Sequence, residues 1–299
     1  DVYKRQPEGG ARPGPSAPGM TRRRSDSSSG QTRADVPPTK LEDMDHSPAS
    51  PPDPALAPLA PAGALTALAS GPRVALAARG LTKVYGPVRA LDGVDLDLRT
   101  GESVAIMGPS GSGKTTLLHT LSGIIAPDSG TVLLGGGRHP DVEVTGLDEE
   151  RRAALRRERL GFVFQEGLLL PELTAVENVA MPLMLNGMPR AEAERRGAGW
   201  LASLGLAGME SRRPGELSGG QRQRVAIARA QAGEPDVVFA DEPTGALDSD
   251  TSAAVMDALI DSTVSRGRTL VVVTHDDAVA ARCARLIRVR DGRIEEDAR

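Results

Sequence analysis

Cysteine, aromatic residues and lysine are all scarce in this chain of 299 residues. A single Cys excludes a disulfide framework and a cysteine-rich zinc site, and it fits a reducing compartment. Phe, Trp and Tyr make up 2% of the residues, which argues against stacking platforms for single-stranded nucleic acid. The formal net charge of −4 argues against a broadly basic DNA-binding surface. We therefore expect no nucleic-acid partner.

Long apolar runs are also missing. The least polar stretch, residues 55–71, is interrupted by Pro58 and Pro61 and falls short of the roughly 20 apolar residues that span a bilayer. The arginines at 22–24 precede Ser and Asp rather than an apolar segment, so no export signal is expected there. The sequence predicts no membrane-spanning segment.

Residues 1–72 differ in composition from the rest of the chain. They hold 13 of the 23 prolines and almost no branched aliphatic residues, so they cannot bury a core and are predicted to be a disordered leader. Residues 1–6 lack a Met and resemble a translated sequencing adapter. We expect them to be artefactual, with Met20 or Met44 as the natural start.

Residues 73–299 carry the periodicity of a folded α/β domain. Alternating apolar and polar residues at 74–77 and 94–98 predict two antiparallel strands with one wet face. Short apolar runs predict buried parallel strands at 103–107, 237–240 and 270–273. Helical periodicity dominates between the first and second of these runs, as at 192–204 and 221–232. The alternation predicts a mostly parallel sheet with an antiparallel β part.

A glycine-rich loop follows the run at 103–107 and precedes an apolar helix at 116–121. It fits the phosphate-binding pattern G-x-x-x-x-G-K-[ST] with Gly108, Pro109, Ser110, Gly111, Ser112, Gly113, Lys114 and Thr115. In this pattern backbone N–H groups and the helix N-terminus surround the phosphates. The Lys114 ammonium would reach the β- and γ-phosphates, and the Thr115 hydroxyl would ligate Mg²⁺.

An acidic pair stands at the end of the apolar run at 237–240. Asp241 is placed to hold Mg²⁺ through water. Glu242 follows at once, and a carboxylate beside the metal can take the proton of an attacking water. A strand that ends in Asp-Glu is on its own more often a solvated terminus. Together with the phosphate loop, the pair predicts a nucleoside triphosphatase.

The segment Leu217-Ser218-Gly219-Gly220-Gln221 resembles the signature motif of the ATP-binding cassette (ABC) ATPases. Other motifs of that family follow in order, at Gln165, 241–242, 246–248 and His275. The resemblance covers about residues 73–299. It implies a P-loop NTPase fold with an antiparallel β subdomain and a small helical subdomain at about 166–232, and it implies ATP and Mg²⁺ as ligands.

The resemblance also implies a role for each matching residue. Glu242 would be the catalytic base, His275 would contact the γ-phosphate, and Gln165 would sense the γ-phosphate and Mg²⁺. Thr115, Gln165 and Asp241 would hold the metal. Tyr85 would stack on adenine, Thr116 would join the phosphate loop in binding ATP, and Asp248 would lie at a dimer seam. Tyr85 as an ordinary strand aromatic remains the alternative.

The signature motif opens the predicted helix at 221–232, which makes a second helix N-terminus suited to an anion. Two phosphate-binding surfaces on one chain suggest a head-to-tail homodimer that sandwiches two ATP molecules. The resemblance assigns residues 217–221 to the ATP of the partner protomer. The arginine-rich run at 151–159 predicts a solvated helix face, with docking of a partner as the alternative.

The stretches 162–179 and 240–249 resemble the lipoprotein-release and macrolide-export type of ABC subunit. This resemblance implies an ATP-hydrolysing subunit at the cytoplasmic face of the cell membrane that moves a separate transmembrane permease. Two alternatives stay open. One is the similar cell-division ATPase type, which signals through a membrane partner, and the other is a soluble regulatory ABC ATPase.

Overall fold

The computed structural model describes residues 73–136, 139–165 and 167–298. The disordered leader predicted for 1–72 lies outside them. No helix within these ranges is long and apolar enough to cross a membrane.

The described residues form ten β-strands and seven α-helices. The strands are β1 (Val74–Tyr85), β2 (Val88–Arg99), β3 (Ser103–Met107), β4 (Ser129–Leu134), β5 (Val142–Glu143), β6 (Leu160–Phe164), β7 (Val237–Asp241), β8 (Thr269–Val273), β9 (Arg285–Arg290) and β10 (Arg293–Ala298). The helices are α1 (Lys114–Leu121), α2 (Glu149–Arg159), α3 (Ala175–Leu185), α4 (Arg190–Ser203), α5 (Gly219–Ala232), α6 (Ser249–Thr263) and α7 (Asp277–Ala280).

The strands divide into two sheets. Four form a sheet in the order β2-β1-β4-β5, in which every pairing is antiparallel. Six form a second sheet in the order β10-β9-β3-β8-β7-β6, which is parallel except where β9 pairs with β10. The predicted combination of a mostly parallel sheet with an antiparallel β part is confirmed.

The central strands of the larger sheet are apolar because both of their faces are covered. All five residues of β3 and of β8 are buried. In register, Ile106 lies beside Val273, and Val273 lies beside Asp241. The strands β3, β7 and β8 therefore end together, and the loops that follow them meet at one edge, called here the carboxyl edge. This is where parallel α/β sheets bind ligands.

Helices α3, α4 and α5 pack on one another around an apolar cluster that includes Val179, Leu201 and Val225. Two of these helices begin at capping boxes, in which side chains satisfy the free N–H groups of the first turn. Thr174 pairs with Glu177 before α3, and Ser218 pairs with Gln221 before α5. The helical periodicity predicted at 192–204 and 221–232 is confirmed as α4 and α5.

The arginine-rich run forms α2, but its last residue is not solvated as predicted. Arg159 is 5% exposed, and its Nε donates to Oδ2 of Asp236, which is 7% exposed, at 2.7 Å. Arg159 Nη1 also donates to the carbonyl oxygen of Pro140 at 2.8 Å. The solvated-face prediction is wrong at this position because Asp236, 77 residues further along the chain, pairs with the guanidinium.

Replacing Asp236 by Ala is expected to lower the free energy of unfolding by about 3–5 kcal/mol, because the Arg159 charge stays buried without its partner. Equilibrium urea unfolding would measure the loss. The matched control is Glu192→Ala, which removes the exposed partner of Arg196 and should cost less than about 1 kcal/mol. Equal losses for the two variants would contradict the expectation.

Candidate active site

The loop between β3 and α1 is held in a shape that only glycine permits at two positions. Gly113, the N-cap of α1, has a φ of 104°, in the left-handed region that favours glycine. A Cβ on Gly113 would lie 2.2 Å from the Ala90 carbonyl oxygen, and one on Gly108 would lie 2.1 Å from that of Val289. Lys114 is 9% exposed, and its Nζ donates to the carbonyl oxygens of Gly108 and Pro109 at 2.8 and 2.9 Å. The ammonium is thus held over the loop.

The turn between β9 and β10 is hydrogen-bonded to this phosphate loop. The Gly292 N–H donates to the Ser112 carbonyl at 3.0 Å, and the Gly292 carbonyl accepts from the Asp92 N–H at 2.9 Å. Asp291 and Gly292 both have positive φ, as a two-residue hairpin turn requires. This support was not predicted from the sequence, although the Asp-Gly pair between two strands signals such a turn.

The predicted acidic pair lies at the carboxyl edge. Asp241 ends β7, and the Glu242 N–H donates to the Val273 carbonyl oxygen at 2.9 Å. Glu242 adopts a φ of 47°, which is uncommon for a residue with a side chain. Its Oε2 lies 3.0 Å from Nδ1 of His275. The structure therefore brings the predicted base and the predicted histidine into hydrogen-bonding distance.

A cavity of about 340 Å³ opens beside this pair and is lined by Thr115, Phe164, Gln165, Leu168, Asp241 and Glu242. Burial raises the pKa of Asp241, the neighbouring Glu242 charge raises it further, and His119 and Lys114 lower it. A carboxylate in this position favours a nearby cation, which would offset the cost of its burial. Thr115, Gln165 and Asp241 present the oxygen donors that Mg²⁺ prefers.

Gln165 reaches this cavity from the turn after β6. A Cβ on Gly245 would lie 2.9 Å from Gln165 Nε2 and 3.3 Å from Glu242 Oε2. The absence of a side chain at Gly245 thus lets the glutamine amide and the glutamate carboxylate approach each other. Gly245 was not predicted as a site residue, because its role depends on Gln165, which is distant in the sequence.

The predicted signature motif lies at the start of α5. The Ser218 hydroxyl accepts from the Gln221 N–H at 3.3 Å, and Gln221 Oε1 accepts from the Ser218 N–H at 2.9 Å. A Cβ on Gly219 would lie 2.9 Å from Leu247 Cδ2, and one on Gly220 would lie 2.5 Å from Thr251 Cγ2. The two glycines therefore pack against the start of α6.

Asp248 caps α6 beside these glycines. Its carboxylate accepts from the N–H and the hydroxyl of Thr251 at 2.9 and 2.7 Å. These bonds lower the pKa of Asp248. None of the residues 217–221, nor Asp248, is among the described residues that line the cavity beside Glu242. The structure gathers Thr115, Gln165, Asp241 and Glu242 at that cavity, with His275 beside Glu242. Leu217–Gln221 and Asp248 lie at a second surface.

Tyr85 lies at the end of β1. It is 47% exposed, and Lys83 Nζ lies 5.6 Å from the centroid of its ring. The structure does not place Tyr85 in the lining of the cavity.

Comparison with known proteins tests the family resemblance. Residues 91–245 match the family described as ABC transporter. The chain belongs to the ABC transporter family. It is an ATP-hydrolysing cassette of that family with an α/β P-loop fold, which confirms the resemblance drawn from the signature motif.

Curated relatives of this ABC cassette fall into two length classes. The lipoprotein-releasing system ATP-binding protein LolD of Roseobacter denitrificans is 44% identical over 223 residues, which cover 73% of this chain and 96% of LolD. The macrolide export ATP-binding/permease protein MacB of Hyphomonas neptunium is 46% identical over 223 residues, which cover 73% of this chain and 34% of MacB. The cassette thus spans about a third of the length of the MacB relative and nearly all of LolD.

Solved structures show the same architecture. A dimeric post-hydrolysis state of the ATP-binding cassette MJ0796 bound to ADP and phosphate superposes with a TM-score of 0.68 and is 39% identical. That match covers 75% of this cassette and 98% of MJ0796. A cassette from Clostridium perfringens, part of the transporter complex cbiONQ, has a TM-score of 0.67 at 28% identity.

Proposed function

We propose that this cassette binds Mg-ATP between two copies of itself, hydrolyses it with Glu242 as the base, and drives a separate membrane permease from the cytoplasmic face. The observation that carries the proposal is the Glu242–His275 pair, joined at 3.0 Å beside a cavity that also holds Thr115 and Asp241. A carboxylate that is oriented by an imidazole next to a phosphate loop is suited to activate water.

In the proposed reaction the Glu242 carboxylate accepts a proton from water while the water oxygen bonds to the γ-phosphorus. The bond between that phosphorus and the bridging oxygen of ADP breaks, and ADP and phosphate leave. His275 holds the carboxylate through Nδ1 and contacts the γ-phosphate. The Lys114 ammonium binds the β- and γ-phosphate oxygens, and the N–H groups of residues 110–116 surround them.

The metal would be Mg²⁺, held by Thr115, Gln165 and Asp241. It would neutralise charge that develops on the phosphate oxygens. Support comes from the Asp241 carboxylate, whose pKa is raised by burial at the cavity wall. Such a group becomes easier to ionise when a cation lies beside it.

The proposed dimer follows from the separation of the two phosphate-binding surfaces. The Ser218 hydroxyl and the N-terminus of α5 offer donors for an anion, yet they do not line the cavity beside Glu242 in the described part of the chain. A second copy, related by two-fold symmetry, would bring each signature motif to the other copy's phosphate loop. The relative MJ0796 is described as dimeric with ADP and phosphate bound.

Gel filtration with light scattering of Glu242→Gln tests the dimer, because slow hydrolysis keeps ATP bound. A dimer is expected with Mg-ATP and a monomer with Mg-ADP. The matched control is Glu242→Gln combined with Ser218→Arg, which should stay monomeric with either nucleotide because the arginine blocks the signature surface. If Glu242→Gln without the second substitution remains monomeric with Mg-ATP, the proposed dimer is contradicted.

The permease would dock in an apolar groove of about 490 Å³ beside α3. Its lining includes Leu168 and Leu185, which are 59% and 63% exposed, together with Met181 and Pro182. Exposed leucines that line one groove mark a protein-binding surface. Leu168 also lines the cavity beside Glu242, so a partner here would contact the loop that carries Gln165.

Purification of tagged Glu242→Gln from its own solubilised membranes with Mg-ATP tests this partner. A polytopic membrane protein should be recovered, and Leu185→Glu should abolish its recovery while ATP-driven dimerisation is unchanged. Recovery of a partner that acts on the cell wall would favour the cell-division type. Recovery of only soluble proteins, with or without Leu185→Glu, would overturn the transport role and leave a regulatory ATPase.

Replacing Tyr85 by Ala is expected to weaken ATP binding about tenfold or more, because aromatic–base stacking contributes about 1–3 kcal/mol. Tyr85→Phe is the matched control and should bind within about twofold of the parent, since it keeps the ring. Titration with a fluorescent ATP analogue would measure both. Unchanged affinity in Tyr85→Ala would leave this residue as an ordinary strand aromatic.

A further inference from the structure

The loop that follows β6 lies directly on helix α5. A Cβ on Gly167 would be 3.4 Å from the Ala226 Cβ and 3.4 Å from Gln223 Oε1. The loop therefore approaches the side of α5 as closely as ordinary packing allows. This loop contains Gln165, and α5 begins at the signature motif, so two proposed ATP-contacting groups share one physical connection.

Two side chains of α5 bind three main-chain carbonyls at the end of β6 and in this loop. The described residues 164, 165, 167 and 168 are called here loop 164–168. Gln223, which is 2% exposed, donates from Nε2 to the Phe164 carbonyl oxygen at 2.9 Å. Arg229 donates from Nη2 to the Gly167 carbonyl and from Nη1 to the Leu168 carbonyl, both at 2.7 Å. The bonds flank Gln165 on both sides, so the loop cannot shift along α5 without breaking them.

The backbone of the loop depends on these bonds. Gly167 and Leu168 have φ values of 71° and 44°, and the left-handed region is unfavourable for a leucine. The planar guanidinium binds the two successive carbonyls through two separate nitrogens in a fixed fork, which the single ammonium of a lysine does not reproduce. These bonds therefore keep the Leu168 side chain exposed. It lines both the cavity beside Glu242 and the groove beside α3.

The charge of Arg229 is unfavourable at this position because it is largely removed from water. Burial lowers its pKa, and among the described residues no carboxylate forms an ion pair with it. A half-buried cation whose hydrogen bonds go to carbonyls stabilises the fold little. Its bonds do fix the position of a loop, which suggests a role in geometry rather than in stability.

We propose that Gln223 and Arg229 are positioning residues that make loop 164–168 and helix α5 one moving element, so that nucleotide contact at Gln165 sets the position of Ser218. About 16 Å of helix separates Ser218 from Arg229, and a helix transmits displacement along its axis as a rigid body. The inference rests on the proposed function, because it requires Gln165 and Ser218 to bind ATP phosphates.

A double-mutant cycle on ATP turnover tests the inference, with Arg229→Gln, Gln165→Ala and their combination. Arg229→Gln should lower turnover about tenfold, the effect of losing hydrogen bonds made by a charged group. In the Gln165→Ala background it should lower turnover by less than about twofold, because coupled residues are not additive. A merely structural role would give the same fold loss in both backgrounds, and that result would overturn the inference.

Arg224 provides a matched control on the same helix, since it forms no hydrogen bond with loop 164–168 in the described part of the chain. Arg224→Gln should change turnover by less than about twofold in both backgrounds. Arg229→Lys keeps the charge but replaces two nitrogens in a fixed fork by a single ammonium, so it should not restore turnover. If Arg229→Gln fails to fold, Gln223→Leu replaces it in the same cycle, with the same expectation.

The same substitutions are then made in the Glu242→Gln background, and the Mg-ATP concentration needed for dimerisation is measured. This experiment separates the inference from the proposed function. If Glu242→Gln dimerises and the added Arg229→Gln substitution leaves the required Mg-ATP concentration unchanged, the inference alone is overturned. If Glu242→Gln stays monomeric with Mg-ATP, the proposed dimer is overturned. Hydrogen exchange then decides the inference, because Mg-ATP should slow exchange at 218–232 in the parent monomer and leave it unchanged in Arg229→Gln. Equal slowing in both would overturn it.

Discussion

Replacing Glu242 by Gln should lower ATP turnover by about 10²–10⁴, the usual contribution of a general base, and leave ATP affinity within about twofold. The amide has the size of the carboxylate and still offers an oxygen to Nδ1 of His275, which lies 3.0 Å from Oε2 in the parent. It cannot take a proton from water, however. The loss should therefore fall on turnover at saturating ATP rather than on binding.

Steady-state phosphate release and titration with a fluorescent ATP analogue measure the two quantities separately. Glu150→Gln, which neutralises an exposed carboxylate on α2, is the matched control for the change in net charge and should keep full turnover. Turnover in Glu242→Gln within about threefold of the parent would assign the base to another group. Loss of nucleotide binding would instead mean that Glu242 acts in binding ATP.

Local sequence patterns were sufficient to predict three strands of the larger sheet, β3, β7 and β8. The runs at 103–107, 237–240 and 270–273 are apolar because both faces of each strand are covered, and this signal is carried within five residues. Parallel strands end at a common edge of the sheet, so the sequence alone predicts that the loops after these strands lie near one another. The meeting of Glu242 with His275 follows from this rule, although the distance between them does not.

The parts that sequence reasoning missed involve partners that are far apart in the chain. Arg159 looked like one more residue of a solvated helix face, because Asp236 lies 77 positions away. Likewise, the helical periodicity at 221–232 predicts no partner for Gln223 or Arg229. Their partners are main-chain carbonyls, which every residue possesses, so residue types alone carry no signal for these bonds.

Replacing Lys114 by Ala should weaken ATP binding by about 10²–10⁴, because two charge-assisted bonds to phosphate at about 1.5–3 kcal/mol each are lost. Lys114 is 9% exposed, and its ammonium is held 2.8 and 2.9 Å from the Gly108 and Pro109 carbonyls. It is therefore positioned over the loop before phosphate arrives, and little side-chain entropy remains to be lost on binding. Isothermal titration with Mg-ATP would measure the loss.

Lys114→Met separates charge from shape, because it keeps most of the side-chain volume and removes the ammonium. It should lose as much ATP affinity as Lys114→Ala. Adenosine, which has no phosphates, should compete equally well with the parent and with both variants, since the proposed stacking on Tyr85 does not involve the lysine. If Lys114→Met bound ATP like the parent, the lysine would act by packing at the base of the loop. If adenosine affinity also fell, the substitution would have distorted the site beyond the phosphate loop.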